Sequence, residues 1–263
     1  MCLIQGVDVA RSHQFIMLPA SPASSRAERE RHGFITKFRV VPKTVELYKM
    51  FGENFYAPEI DEICVGSKTL PYEDYLECRL FNLTVEMFYN NGIFEDLIKF
   101  LKYHDFKVSS FILNIHECVK SSKELNLLYE EFLRETKELY DTREDIRKVL
   151  EDEKILKNYI SEEKGVNEQL LYTSVGVLEK MEELHKIAFG VAKNMLIPKM
   201  ELNGQSETFF EEFETFMLMQ KKDMISNQNN VKKKKFHFDF ISLIESNFKK
   251  KPSEVYVSKG IQF

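Results

Sequence analysis

The sequence predicts an α+β protein that is mainly α-helical, with the remnant last strands of an α/β domain placed before a helical domain. Three observations predict this class. Residues 15–18 are an apolar run of strand length that ends at Pro19. Residues 34–41 alternate as a strand does and stop at Pro42. From residue 69 onward, apolar residues recur mostly at helical spacing.

The first segment, residues 1–68, is expected to be the truncated end of a larger α/β domain. A strand as short and apolar as residues 15–18 packs between neighbouring strands, and the residues before it are too few to form one. Ser25 and Glu28 make a capping box for a short helix that ends near Gly33. The remaining expected elements are a strand at 34–41, a helix at 44–51 and a strand at 62–65.

The second segment, residues 69–200, is expected to be a helical domain. Pro71 suits the first turn of a helix, and Gly92 suits the left-handed residue that ends it. Ser121 and Glu124 make a second capping box. The expected helices cover residues 72–89, 93–103, 108–119, 121–160 (either as one helix or as two that break near 141–142) and 167–196.

The third segment, residues 201–263, is expected to be a helical extension with a Lys-rich linker. Four lysines at 232–235 precede Phe236, Phe238 and Phe240. Basic residues mixed with rings occur in nucleic-acid binders, but a lysine run is more typical of a solvated linker, and the net charge of −5 disfavours nucleic acid. The expected elements are a helix at 206–224, a polar turn at 227–230, a helix at 241–248 and a strand at 255–257.

Composition and cysteine spacing predict an ordinary soluble protein of the cytoplasm. No apolar run approaches the roughly 20 residues that cross a bilayer, and the first residues lack the features of a signal peptide. The four cysteines, Cys2, Cys64, Cys78 and Cys118, show neither CxxC nor CxxxCxxC spacing. We interpret them as small buried residues in a reducing compartment, and no metal site is expected.

The loop after the first strand has two interpretations. Ligands of parallel α/β folds bind at the carboxyl ends of the strands, so the loop could form the rim of a substrate or cofactor site. It could equally be a Pro-stiffened turn into the capped helix. His13, His116 and His185 are interpreted as core or surface histidines. The absence of HExxH, GxSxG, P-loop and GxGxxG motifs excludes several reaction classes.

Three stretches together resemble one protein family. They are HQFIMLPASPASS at residues 13–25, FITKFRVVP at 34–42 and EICVGSKTLPYEDYLECRLFNLTVEMFYNNGIFEDLIKFL at 62–101. They resemble the carboxyl-terminal region of radical S-adenosylmethionine (radical SAM) proteins of the cobalamin-binding-domain type. In that family a closing strand of the barrel ends in Leu-Pro-Gly-Ser-Pro or a similar loop. The resemblance implies that residues 1–68 are the last strands of a partial TIM-like barrel.

The family's chemistry implies cofactors that this chain is not expected to hold alone. A CxxxCxxC motif binds a 4Fe-4S cluster, the cluster binds S-adenosylmethionine, and cobalamin is a further candidate. That motif is absent here. The resemblance therefore implies part of an enzyme that is inactive alone, whose partner is the missing amino-terminal part, with no membrane or nucleic acid involved. The alternative is a stand-alone helical protein-interaction module with no cofactor.

The resemblance also implies six residues near the cofactor or substrate. They are Leu18, Pro19, Ala20, Ser21, Pro22 and Arg39. Ala20 stands where the family has glycine, which changes the freedom of the loop if that residue needs a positive φ. No catalytic residue and no metal ligand is assigned on this chain.

Overall fold

The computed structural model of the protein describes residue 7 and residues 9–199, 204–225 and 234–262. In these ranges the helices are α1 (Arg26–His32), α2 (Tyr72–Val85, continued by a π-helical turn over Glu86–Asn90), α3 (Glu95–Tyr103), α4 (Val108–Val119), α5 (Lys123–Thr136), α6 (Arg143–Leu150), α7 (Glu153–Ile160), α8 (Glu168–Glu179), α9 (Met181–Leu196), α10 (Ser206–Ile225) and α11 (Phe240–Glu245). The strands are β1 (Phe15–Ile16), β2 (Ile35–Val40), β3 (Leu47–Met50), β4 (Glu53–Tyr56), β5 (Ile60–Gly66), β6 (Lys235–Phe238) and β7 (Tyr256–Gln262). The chain is mainly helical with small sheets, as the α+β class predicts.

The chain forms two compact units, and each is discontinuous in sequence. The sheet unit consists of Ser12–Leu83 and Tyr129–Tyr172. The helical unit consists of the described residues within Met1–Arg11, Thr84–Leu128 and Thr173–Phe263.

The sheet unit is built on a three-stranded antiparallel sheet with the order β1-β5-β2. Phe15 pairs with Cys64, and Ile16 pairs with Ile63. The opening strand is shorter than predicted, and within the described chain it pairs with β5 alone. Phe15 is 47% exposed, so the prediction that this strand is buried was wrong. Among residues 15–18, only Met17 is buried.

Apolar clusters cover both faces of this sheet, because successive side chains of a strand point to opposite sides. The cluster on one face comprises Val40, Val45, Ile146 and Leu156, with Phe38, Ile60 and Tyr140 packed against it. The cluster on the other face comprises Ile63, Val65, Tyr75 and Leu76, with Ile16, Leu133 and Leu139 packed against it. The sheet is therefore a layer between helices. The end of β2 lies near the end of α5 and the beginning of α8.

The prediction of a helix over residues 44–51 was wrong. β3 and β4 form an antiparallel hairpin in which Leu47 lies opposite Tyr56. The two turn residues, Phe51 and Gly52, have positive φ values of 53° and 83°, as in the two-residue turns that join twisted strands. Tyr48 before the turn and Phe55 and Tyr56 after it are residue types that are enriched in strands.

Two of the predicted helix starts depend on serine caps. The Oγ of Ser25 accepts the backbone N–H of Glu28 at 3.3 Å, and Gly33 ends α1 in a left-handed conformation. The cap at Ser25 and the end at Gly33 are confirmed, whereas the carboxylate of Glu28 contacts Arg31 and His32 and does not complete the predicted capping box. The second cap is Ser122 rather than Ser121, because the Oγ of Ser122 accepts the backbone N–H three residues further on at 3.3 Å.

The segment predicted as one or two helices over residues 121–160 forms three. Thr142 caps α6 through a reciprocal capping box with Asp145, so the break near residues 141–142 is confirmed. Asp152 caps α7 by accepting two backbone N–H groups, which is a second break that the apolar pattern does not indicate. A further break at Lys180 separates α8 from α9.

Phenylalanine rings fill the core of the helical unit. The largest fully buried side chains there are Phe88, Phe94, Phe100, Phe111, Phe189, Phe209, Phe210, Phe213, Phe236, Phe238 and Phe240. The ring of Phe213 lies 5.2 Å from that of Phe240 and 5.4 Å from that of Phe189. Because Phe236 and Phe238 are part of this core, their rings are not available to stack on nucleic-acid bases.

The carboxyl-terminal strand predicted at 255–257 is confirmed as β7, which pairs with β6 in an antiparallel ladder. Lys234 and Lys235 are exposed. The other two lysines of the basic run and the turn predicted at 227–230 lie outside the described residues.

Candidate functional site

The loop predicted to face a cofactor, residues 18–22, directly follows β1. Ser21 is half-buried and the other four residues are exposed. Ser21 precedes a single 3-10 turn, Pro22–Ser24. Ala20 has a φ of 63°, a left-handed conformation that costs an L-residue about 1–2 kcal/mol. The loop therefore keeps a strained backbone at one defined position.

Arg29 of α1 holds the chain after this loop against the sheet. Its Nε donates to the carbonyl oxygen of Ser24 at 3.0 Å. Its two terminal nitrogens donate to both carboxylate oxygens of Glu62 on β5, at 2.6 and 2.8 Å. Thr36 on β2 donates a further hydrogen bond to Glu62 at 2.7 Å. These hydrogen bonds hold the pKa of Glu62 below its ordinary value of 4.5, and the bond from Arg29 has the largest effect.

Arg39 lies on β2, and the structure does not join it to the loop by a polar contact. Its Nη1 donates a hydrogen bond to Oε1 of Gln14, and its Nη2 lies 3.7 Å from Oδ2 of Asp61. Its Nε is buried and has no hydrogen-bond partner among the described residues. Five of the six predicted residues therefore form the loop, whereas Arg39 lines a cavity that the loop does not reach.

This Arg39 cavity has a volume of about 260 Å³ and lies at the end of β2 in the sheet unit. Its walls are the end of β2, the end of α5 with the chain after it, the connection from α7 to α8, and the first turn of α8. Small-molecule sites usually measure about 300–1,000 Å³, so the cavity is smaller than that range and has room only for a small ligand.

Two backbone features fix the walls of the Arg39 cavity. Phe38 and Tyr140 exchange two backbone hydrogen bonds of 2.8 and 2.9 Å, which tie the chain after α5 to the edge of β2. Gly165 has a φ of 67°, and a Cβ there would lie 2.6 Å from Cδ1 of Tyr159. Glycine is therefore required for the α7–α8 connection to pass this ring.

Most charged side chains of the cavity wall are paired. The ion pairs are Lys164 with Glu138 at 3.1 Å, Lys43 with Glu162 at 2.8 Å and Arg79 with Glu168 at 2.7 Å. Glu135 accepts a hydrogen bond of 2.7 Å from the hydroxyl of Tyr172, and burial together with this carboxylate raises the pKa of Tyr172. Within the described chain, neither Glu135 nor Glu163 forms an ion pair with a cationic side chain.

Gln14 lies between the Arg39 cavity and a second cavity of about 340 Å³. Its Oε1 accepts the hydrogen bond from Arg39, and its Nε2 donates to the hydroxyl of Tyr75 at 2.7 Å. Burial raises the pKa of Tyr75. The second cavity is mostly apolar and is lined in part by the free thiols of Cys64 and Cys78. One amide side chain thus connects a polar cavity to an apolar one.

Arg79 and Thr136 are buried polar residues that the sequence interpretation missed. Arg79 follows Leu76 by three positions on α2, and Thr136 follows Phe132 by four positions on α5, so each interrupts an apolar helical stripe. The guanidinium of Arg79 also lies over the ring of Phe132 at 5.4 Å. A polar residue at core spacing is the signal that could have found both.

The three histidines singled out by the sequence occupy different environments. His13 is exposed and lines the second cavity. His116 is buried with its Nδ1 2.7 Å from the hydroxyl of Thr84. His185 is fully buried and its Nδ1 lies 2.9 Å from the carbonyl oxygen of Met181.

The described residues contain no group of three or more His, Cys, Asp or Glu side chains that could hold a metal ion. The cysteines of the described ranges therefore do not fit the ligand set of a 4Fe-4S cluster. Among the described helices, none is both long and apolar enough to span a bilayer.

No protein family matches the sequence, and no curated protein matches it. The resemblance to radical SAM proteins depends on the three quoted stretches.

Proposed function

We propose that this chain is the carboxyl-terminal part of a radical SAM protein and that it is catalytically inactive without the part that carries the cluster. The left-handed conformation of Ala20 carries the proposal. The family has glycine at this position of its Leu-Pro-Gly-Ser-Pro loop, and glycine adopts a φ of 63° without strain. If an alanine replaced the family's glycine and the loop kept its backbone conformation, that alanine would have the positive φ that Ala20 has.

The distribution of exposed apolar side chains also supports the proposal. In the sheet unit many of them precede residue 60: Phe15, Leu18, Ile35, Leu47, Tyr48, Met50, Phe51, Phe55 and Tyr56. Where exposed apolar side chains form a contiguous patch, they mark a contact with another protein or domain. In the proposal, the missing part of the barrel covers some of this surface.

In this proposal the cofactors are bound by the missing amino-terminal part of the protein. The 4Fe-4S cluster, S-adenosylmethionine and cobalamin are held there, and residues 18–22 lie at the mouth of the completed barrel. The proposed compartment is the cytoplasm, where free thiols such as that of Cys64 stay reduced.

Reassembly of the two parts tests the proposal. The DNA before this reading frame is expected to encode a CxxxCxxC-bearing segment, which is then co-expressed with the chain. We expect a stable complex that cleaves S-adenosylmethionine to 5′-deoxyadenosine, measured by liquid chromatography, and no cleavage by this chain alone. Leu18→Asp should weaken the complex, whereas Leu127→Asp, at another exposed leucine, should not.

Two results would contradict the proposal. One is the failure of the two parts to associate or to cleave S-adenosylmethionine together. The other is an iron–sulfur absorbance band on this chain alone after reconstitution with iron and sulfide, because the chain would then carry a cluster site of its own.

A stand-alone protein-interaction module is a second candidate function, and the hairpin of β3 and β4 favours it. The side chain of Phe51 at the hairpin tip is 94% exposed, and Tyr48 and Phe55 are exposed beside it. The two functions differ in which surface is used. In the interaction module, Phe51→Ser abolishes association with a partner while Leu18→Asp has no effect, and no CxxxCxxC segment is encoded upstream.

A further inference from the structure

We infer that β4 is a homodimer interface, at which the β4 strands of two copies of this chain pair antiparallel and join two hairpins into one four-stranded sheet. The inference does not depend on the proposed function, because it concerns the hairpin of β3 and β4 and not the loop at residues 18–22. Three observations lead to it: an open strand edge, a register that is complementary to itself, and a row of exposed rings.

The edge of β4 that faces away from β3 is open. The two strands form a sheet of their own, so within the described chain β4 pairs with β3 alone. All four residues of Glu53–Tyr56 are exposed. A two-stranded hairpin is only marginally stable by itself, and an open edge accepts a further strand through its main-chain N–H and C=O groups.

The ladder of the hairpin identifies the main-chain groups that point outward. Met50 and Glu53 flank the two-residue turn, and the pair that flanks such a turn is hydrogen-bonded. Hydrogen-bonded and non-hydrogen-bonded pairs alternate along an antiparallel ladder. The N–H and C=O groups of Asn54 and Tyr56 therefore point away from β3.

These outward groups match those of a second copy. When two β4 strands run antiparallel about a two-fold axis at Phe55, Asn54 of each copy lies opposite Tyr56 of the other. Both of these pairs can exchange main-chain hydrogen bonds, because both residues present their N–H and C=O groups to the other copy. The edge is therefore self-complementary, as a two-fold interface requires.

The exposed rings of the hairpin suit the same register. The Phe55 rings of the two copies lie opposite each other at a non-hydrogen-bonded pair, where side chains come closest, and opposed aromatic side chains stabilise such a pair. Tyr48 lies opposite Phe55 within each hairpin, so the four rings form a continuous row across the joined sheet. Phe55 and Tyr48 are each 44% exposed, which leaves apolar surface for the second copy to cover.

The charges of the two edges favour β4 over β3 as the interface. Leu47 and Lys49 are the outward-facing residues of β3, and a lysine on an edge strand disfavours the addition of another strand. The outward-facing residues of β4 are uncharged. In the register about Phe55, Glu53 lies opposite Ala57 of the other copy, so no like charges of the two strands oppose each other.

Sedimentation velocity of the full chain over a range of concentrations tests the inference. We expect the mass to rise from that of one chain, 31.1 kDa, to twice that value as the concentration reaches the submillimolar range. Hydrogen exchange at the two ends of this range locates the contact. The amides of Asn54 and Tyr56 should exchange about tenfold more slowly in the dimer, whereas those of Leu47 and Lys49 should not change.

Paired substitutions separate the two edges of the hairpin. Asn54→Pro removes an outward N–H of β4, and Lys49→Pro, at the residue opposite in the ladder, removes an outward N–H of β3. Proline is tolerated at such outward positions of an edge strand. We expect Asn54→Pro to weaken dimerisation at least about tenfold and Lys49→Pro to leave it unchanged. Phe55→Lys should also weaken it, since it opposes two like charges, whereas Phe55→Tyr should keep it.

The inference is overturned if the chain sediments as a monomer at every concentration, and the edge of β4 is then left to a strand of another protein. It is also overturned if a folded Asn54→Pro variant, checked by circular dichroism, dimerises as the unaltered chain does, because the interface would then lie elsewhere. Equal loss of dimer in Asn54→Pro and Lys49→Pro contradicts the assignment to the β4 edge.

Discussion

His185 of α9 should make the protein sensitive to mild acid. Its ring is fully buried, its Nδ1 donates to the carbonyl oxygen of Met181 at 2.9 Å, and its Nε2 has no hydrogen-bond partner among the described residues. The rings of Phe94 and Phe189 lie 4.9 and 6.2 Å away. Burial, with a smaller contribution from two lysines of α10, lowers the pKa of His185 from 6.5 to about 4.

The direction and size of the effect follow from these two pKa values. The unfolded state takes up the proton first as the pH falls, because its pKa is higher, so stability is lost between pH 6.5 and pH 4. The loss in the free energy of unfolding is about 2 kcal/mol at pH 5 and about 3 kcal/mol below pH 4. The lowered pKa of Glu62 acts only below its ordinary value of 4.5, and Glu214, whose pKa is raised by burial, acts in the opposite direction.

Urea unfolding at pH 7 and at pH 5 measures this effect in the unaltered protein and in His185→Phe. The unaltered protein should lose about 2 kcal/mol more than the variant between the two pH values, since Glu62 and Glu214 are common to both proteins. His32→Gln, at an exposed histidine, should keep the unaltered pH dependence. If a folded His185→Phe variant shows the same pH dependence as the unaltered protein, the reasoning about His185 is refuted.

Three substitutions test other parts of the structure by chemical denaturation. Ala20→Gly should raise the free energy of unfolding by about 0.5–1 kcal/mol, because it removes left-handed strain; a decrease would contradict the backbone assignment. Gly165→Ala should lower it by about 2 kcal/mol more than Gly92→Ala, because both glycines have positive φ and only the first would clash with a ring. Phe213→Ala should lower it by about 3–5 kcal/mol, whereas Phe51→Ala at the exposed hairpin tip should change it by no more than about 0.5 kcal/mol.

Elements that depend on local chemistry were the ones that the sequence predicted well. The α4 helix spans Val108–Val119, as its apolar spacing predicts. The cap at Ser25 and the left-handed Gly33 at the other end of α1 were also predicted. In each case a side chain or a backbone conformation acts within a few residues, so a single stretch of sequence contains the whole cause.

Elements that depend on turns without a clear signal were predicted poorly. The hairpin of β3 and β4 needs a positive φ at Phe51 as well as at Gly52, and phenylalanine gives no indication of that conformation. Asp152 begins α7 inside a segment with continuous helical spacing. An aspartate is common both at a helix cap and on an exposed helix face, so its type alone does not decide between them.

The Arg39 cavity was beyond prediction from local sequence because its parts are far apart in the chain. Gln14, Arg39, Thr136 and Glu168 come from four separate segments and meet only in the folded sheet unit. The loop at residues 18–22 was predicted as a site because it follows a strand and resembles a family loop. Arg39 was assigned to the same neighbourhood, and in the structure it contacts Gln14 and Asp61.

The interiors of the two units differ in the polar groups that they bury. The core of the helical unit is largely phenylalanine rings, and it also buries His185, whose Nε2 has no hydrogen-bond partner among the described residues. The sheet unit also leaves buried polar atoms without partners, Nε of Arg39 and Oγ1 of Thr136. It differs in that it contains the largely buried ion pair of Arg79 and Glu168. Apolar replacements of buried ion pairs are often equally or more stable. Stability alone therefore does not account for the ion pair that the sheet unit keeps.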